Sequence, residues 1–177
     1  MWFSLLWYEI SVLLTHWLLR LLDLLGDGVL ARYFRGLILK LAGFQLGWGC
    51  RVGTGFYIHS VLDRVTIGRR SGFNRNIHID ATSPVSIGNY CNIGFGVSFI
   101  TAQHDINTTF ERSRPPHAGG AITVEDFTWI AANCTLLPGV TIGRGSVIGV
   151  GSLVNKSIPP NSLAVGRPAR VIRKINQ

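Results

Sequence analysis

The chain holds five histidines, and their positions sort them by what an imidazole can do. His16 falls in an apolar stretch, His59 and His78 inside patterned segments, and His104 and His117 where the pattern is interrupted. His104 stands in Thr101-Ala-Gln-His104-Asp105, five positions after the patterned Phe99, where the chain leaves its scaffold. A histidine anchored at one end by a rigid element, with its ring facing a groove, suits a general base. Zinc chemistry needs at least three converging ligands. His78 can be paired with His104, but no third ligand has suitable spacing, so no metal is expected.

A second chemistry lies in the charge. The formal net charge is +8, and no acidic residue follows Asp126. Arg144, Lys156, Arg167, Arg170, Arg173 and Lys174 therefore stand unopposed. A field of one sign concentrates an anion. Nucleic acid is disfavoured, because aromatic platforms and a recognition helix are missing there. A phosphorylated cofactor fits better.

These residues need a scaffold, and the repeat supplies it. An aliphatic residue returns every sixth position at Val124, Ile130, Leu136, Ile142, Ile148 and Val154, often followed by Gly. A small residue falls four after it at Thr128, Cys134, Ser146 and Ser152. Neither a helix nor a simple strand has that period. It marks a parallel β-helix, in which each coil buries one stripe against the next. Upstream, Leu46, Val52 and Ile58 form one set of three, Ile67, Phe73 and Ile79 a second, and Ile87, Ile93 and Phe99 a third. Three hexapeptides per set predict a triangular coil. The long spacing from Phe99 to Val124 predicts a loop inserted at about 101–121, where solenoids carry function. Parallel strands need cover outside, so prisms standing side by side in a homo-oligomer are expected, with Phe95 and Trp129 as outward aromatics. Cys50, Cys91 and Cys134 all fall in the small inward phase, which predicts buried, reduced thiols.

Residues 1–43 differ in kind. Residues 2–25 read as an apolar helix with Glu9, His16, Arg20, Asp23 and Asp27 on one narrow stripe. Its uncharged run is shorter than the ~18–20 residues that span a bilayer. No Lys or Arg precedes it, which argues against a signal peptide. Gly26-Asp27-Gly28 breaks it, and a second helix follows over 29–41 with Arg32, Arg35 and Lys40 as its charges, capped near Gly43. Trp2, Trp7 and Trp17 suit a membrane interface, and the basic side chains can snorkel toward anionic headgroups. The expectation is a membrane surface bound through residues 2–41, at the inner face of the cell membrane. The other reading is a cap over the open end of the β-helix.

The hexapeptides, the His104 loop and the run Ile158-Pro-Pro-Asn161-Ser-Leu-Ala-Val-Gly166-Arg-Pro168-Ala-Arg170-Val-Ile172 resemble the hexapeptide acyltransferases, notably maltose, galactoside and colanic-acid-type exopolysaccharide O-acetyltransferases. The likeness covers roughly residues 46–174. It implies a mainly β fold, a left-handed parallel β-helix over 44–177, usually a trimer with sites between subunits, using acetyl-CoA. It implies that His104 is the general base, that Asn74 and Trp129 line the acceptor side, and that Lys156, Arg170 and Arg173 meet the cofactor's phosphates. Asp105 stands where maltose-type enzymes have Pro and matches the exopolysaccharide branch, as an acceptor contact. The implied function is O-acetylation of a sugar hydroxyl of a polysaccharide or lipid-linked glycan precursor. N-acetylation of an amino sugar or small molecule, and a non-catalytic membrane-associated scaffold, stand as alternatives.

Overall fold

The computed structural model describes residues 10, 13–14, 17–59, 64–104 and 117–176, with backbone alone at 117–118. Strands of two or three residues wind through three parallel sheets in turn. Face 1 stacks Gln45–Leu46, Val65–Ile67, Val85–Ile87, Ile122–Val124 and Thr141–Ile142. Face 2 stacks Arg51–Val52, Gly72–Phe73, Asn92–Ile93, Trp129–Ile130, Val147–Ile148 and Ser162–Gly166, and is closed by the antiparallel Ala169–Lys174. Face 3 stacks Tyr57–His59, His78–Asp80, Ser98–Ile100, Thr135–Leu136 and Leu153–Val154. The fold is a parallel β-helix.

The register follows the repeat. Leu46, Ile67, Ile87, Val124 and Ile142 lie one above another on face 1. Val52, Phe73, Ile93, Ile130, Ile148 and Ala164 do so on face 2. Ile58, Ile79, Phe99, Leu136 and Val154 complete the core on face 3. All are buried. Each such side chain contributes roughly 1.5–3 kcal/mol by leaving water, which sets the register, since a slip of one residue would turn every one of them outward.

Irregularity gathers at one corner, between faces 3 and 1. The extra residues before Val65, before Val85 and before Ile122 all fall there. In the longest insertion, Ala102–Gln103 pairs antiparallel with His117–Ala118 to form the ribbon at the base of the loop.

The small inward phase holds all three cysteines, buried and free of disulfides. Each thiol donates to a carbonyl of the next coil: Cys50 to Gly68 at 3.1 Å, Cys91 to Glu125 at 3.2 Å and Cys134 to Gly149 at 3.1 Å. Burial pushes all three thiols above their ordinary value. Their stabilisation is therefore complete below the unfolded thiol pKa and is lost as pH rises from there through the folded one. With so little thiolate, native protein at pH 8 is expected to resist a disulfide reagent at all three sites and to react at all three once unfolded, which a colorimetric thiol titration checks.

Residues 17–23 are helical and Val29–Leu41 form a second helix. Both pack on the first coil through Leu19 and Leu39. At Gly36 the helix comes so close that a Cβ would lie 2.7 Å from the Cys50 carbonyl oxygen. Arg35, expected to snorkel outward, is instead wholly buried. It donates to Asp23 (3.0 Å), Asp27 (3.5 Å) and the carbonyls of Leu22, Gly26 and Val52. The same two carboxylates accept the Gly55 and Thr54 N–H groups of the first coil. Asp23 and Asp27 of the helical stripe thus face the prism, and the described helices cap its end.

Candidate active site

His104 leaves face 3 from a firmly held base. Thr101 is fully buried; its hydroxyl donates to the Asp80 carbonyl (2.9 Å) and accepts the Ser83 N–H (2.8 Å). Its carbonyl accepts the Gly119 N–H at 2.8 Å, tying the two ends of the insertion together. Asp80 accepts the Ala102 N–H at 3.2 Å and the Thr82 hydroxyl at 2.9 Å. Three residues beyond Thr101, His104 is exposed at the corner between faces 3 and 1. Lys156 is exposed at the same corner of the last coil, between Val154 of face 3 and Ile158, which bridges to Ile142 of face 1. Asp105 lies outside the described residues.

The other candidates lie on face 2. Asn74 and Trp129 line one cleft of about 240 Å³, together with Arg51, Asn92 and Arg32. Trp129, Asn92, Gly72 and Arg51 form one outward column, each a step before the buried aliphatic. Asn74 follows Phe73, and its Oδ1 accepts the Arg75 N–H at 2.8 Å. Arg170 and Arg173 project from the closing strand on this face and are exposed. Among the described residues, neither they nor Lys156 pair with a carboxylate. Arg144 departs from the sequence reading, since Asp126 neutralises it at 3.4 Å.

The predicted residues thus fall into two groups. His104 and Lys156 share a corner; Asn74, Trp129, Arg170 and Arg173 share the face opposite it, with the core between. The residues that sequence reasoning missed are Arg51, Asn92 and Arg32. Arg51 and Asn92 precede a repeat aliphatic just as Trp129 does, so the phase that marked Trp129 marks them too. Nothing in the sequence signals that Arg32 reaches face 2. Among the described residues no three His, Cys, Asp or Glu side chains cluster in a way that could hold a metal ion.

Residues 121–156 match the family of bacterial transferase hexapeptides (six repeats). A galactoside O-acetyltransferase of Lactococcus lactis is 34% identical over 139 residues, 78% of this chain and 67% of that protein. The crystal structure of a hexapeptide-repeat-containing acetyltransferase from Vibrio cholerae superposes with a TM-score of 0.77 at 28% identity, covering 94% of this chain and 93% of the other. A galactoside acetyltransferase solved in complex with coenzyme A gives 0.74 at 34% identity, covering 80% and 70%. The chain belongs to the hexapeptide-repeat acetyltransferases. It spans 55% and 56% of the length of the first curated relatives that it matches.

Proposed function

We propose that the protein is an acetyl-CoA-dependent O-acetyltransferase acting on a sugar hydroxyl of a polysaccharide or lipid-linked glycan precursor. The observation that carries this reading is the division of the site. An imidazole and a lysine stand on one corner, while an amide, an indole and two arginines stand on the face opposite. Laying the corner of one copy against face 2 of the next unites them, and a head-to-tail contact makes a ring where its rotation closes. A trimer with a site at each junction is the ring this reading takes, and light scattering on the purified protein tests it.

Acetyl-CoA supplies an activated thioester to such a site, held through its phosphates by Lys156, Arg170 and Arg173. His104 takes the proton from the acceptor hydroxyl as its oxygen attacks the thioester carbon, and returns it to the departing sulfur. Asn74 and Trp129 orient the sugar. Lys156→Glu is expected to raise the KM for acetyl-CoA about tenfold or more, the worth of one charge-assisted contact. The KM for acceptor should stay within about twofold. Steady-state kinetics with each substrate varied in turn checks it.

The helices add a location. No described helix is long and apolar enough to cross a membrane. Yet Leu30, Phe34, Leu37 and Leu41 form an exposed stripe on one helix, and Leu14, Trp17, Leu21 and Leu24 are exposed on the other. Arg20 and Lys40 are exposed alongside, whereas Asp23 and Asp27 are tied to Arg35. Among the described residues this is an apolar stripe with basic charge beside it, which suits the anionic cytoplasmic face of a membrane. The protein is expected to sediment with vesicles containing anionic lipid, and Leu30→Asp with Leu37→Asp to release it. Wild type remaining in the supernatant would contradict the location.

A further inference from the structure

We propose that the face 2 cleft takes an acceptor sugar bearing a negative charge, and that Arg51 and Arg32 select it. The inference rests on the transferase reading, because it takes this cleft as the acceptor pocket.

Arg51 projects outward from the first coil of face 2. Directly above it stands Gly72, where the column has no side chain. A Cβ at Gly72 would lie 3.2 Å from Arg51 Nη2 and 3.6 Å from Asn92 Oδ1. The guanidinium therefore extends over the gap that Gly72 leaves, into the cleft. Among the described residues it has no hydrogen bond or ion pair. Arg32 reaches the same cleft from the helix Val29–Leu41. Its Nη2 is engaged by Asp27 at 3.1 Å, but its Nε is buried with no partner. A buried N–H left unmade is costly, and such a group marks a missing acceptor.

The rest of the lining agrees. Among the described residues no carboxylate lines the cleft; Asp27 reaches it only through Arg32, its Oδ1 being taken by Arg35 and the Thr54 N–H. Asn74 and Asn92 suit the hydroxyls of a sugar, and Trp129 offers a flat apolar wall. The unpaired guanidinium of Arg51 and the open Nε–H of Arg32 exceed what a neutral sugar can satisfy. The fork of N–H donors on Arg51 matches the paired oxygens of a carboxylate or phosphate. The shared chemistry is an oxyanion on the acceptor, either the carboxylate of an acidic sugar or the phosphate of a glycosyl phosphate.

Calorimetric titration of the full chain saturated with coenzyme A separates these, since the nucleotide then occupies the other basic residues. Galactose, galacturonate and galactose 1-phosphate are the probes. Galacturonate or galactose 1-phosphate is expected to bind at least about tenfold more tightly than galactose. Arg51→Gln should remove that advantage, and Arg51→Lys should keep part of it. A preference for galacturonate assigns the carboxylate, and one for galactose 1-phosphate assigns the phosphate. Anionic sugars binding no better than galactose, or an advantage unchanged in both Arg51→Gln and Arg32→Gln, overturns the inference. Failure of coenzyme A itself to bind strikes the transferase reading instead.

Discussion

Replacing His104 with Ala is expected to lower the rate of acetyl transfer about 10²–10⁴-fold, the range for losing a general base. A sugar hydroxyl is a poor nucleophile until its proton has somewhere to go, and His104 is the imidazole that the insertion holds at the corner. The hydrogen bonds around Thr101 and Asp80 fix the strand that carries it, so the ring is presented at little entropic cost. The substitution is at an exposed position, so stability should hardly change. The loss should appear in kcat, with affinity for acetyl-CoA kept, because the residues proposed to meet its phosphates, Lys156, Arg170 and Arg173, are left intact. Turnover at the wild-type rate would remove His104 from the mechanism.

Arg35→Met is expected to cost about 3–5 kcal/mol of folding stability, the usual penalty for breaking a buried ion pair from one side. Arg35 is the rivet between the helical cap and the first coil. Without it, Asp23 and Asp27 lose their shared cation, and the carbonyls of Leu22 and Gly26 lose their donor. Arg35→Lys should restore only a part, because an ammonium has three donors in no fixed plane and the site uses a planar fork. Urea titration followed by tryptophan fluorescence reads both variants. A shift under about 1 kcal/mol for Arg35→Met would show that the cap is held by its leucines alone.

Much of the β-helix is legible because its constraint is local and repeated. Val124 through Val154 state the six-residue period, and the same phase places the cysteines and the triplets back to Leu46. The spacing irregularities at Ile58 to Ile67, Ile79 to Ile87 and Phe99 to Val124 locate the corner that carries the insertion. A six-residue period says nothing of handedness, which enters only through the resemblance.

The failures have a common physical cause. Arg35 reads as an exposed helical charge because its partners, Asp23 and Asp27, lie across the Gly26–Gly28 turn and meet it only once the helices fold back. Arg144 reads as unopposed because Asp126 comes beside it only through the stacking of coils. Arg32 enters the face 2 cleft for the same reason. Outward residues such as Arg51 and Asn92 have a legible phase but no legible neighbour, since what they face depends on which column stands beside them. Pairings that tertiary closure creates are invisible to periodicity.

The most direct test is transfer of label from radiolabelled acetyl-CoA into a membrane and glycan extract. Wild-type protein should produce a labelled glycan whose label is released by mild alkali, as an ester requires. Label that survives alkali would make the product an amide and the enzyme an N-acetyltransferase. No label, together with no binding of coenzyme A, would contradict the transferase account and leave a scaffold.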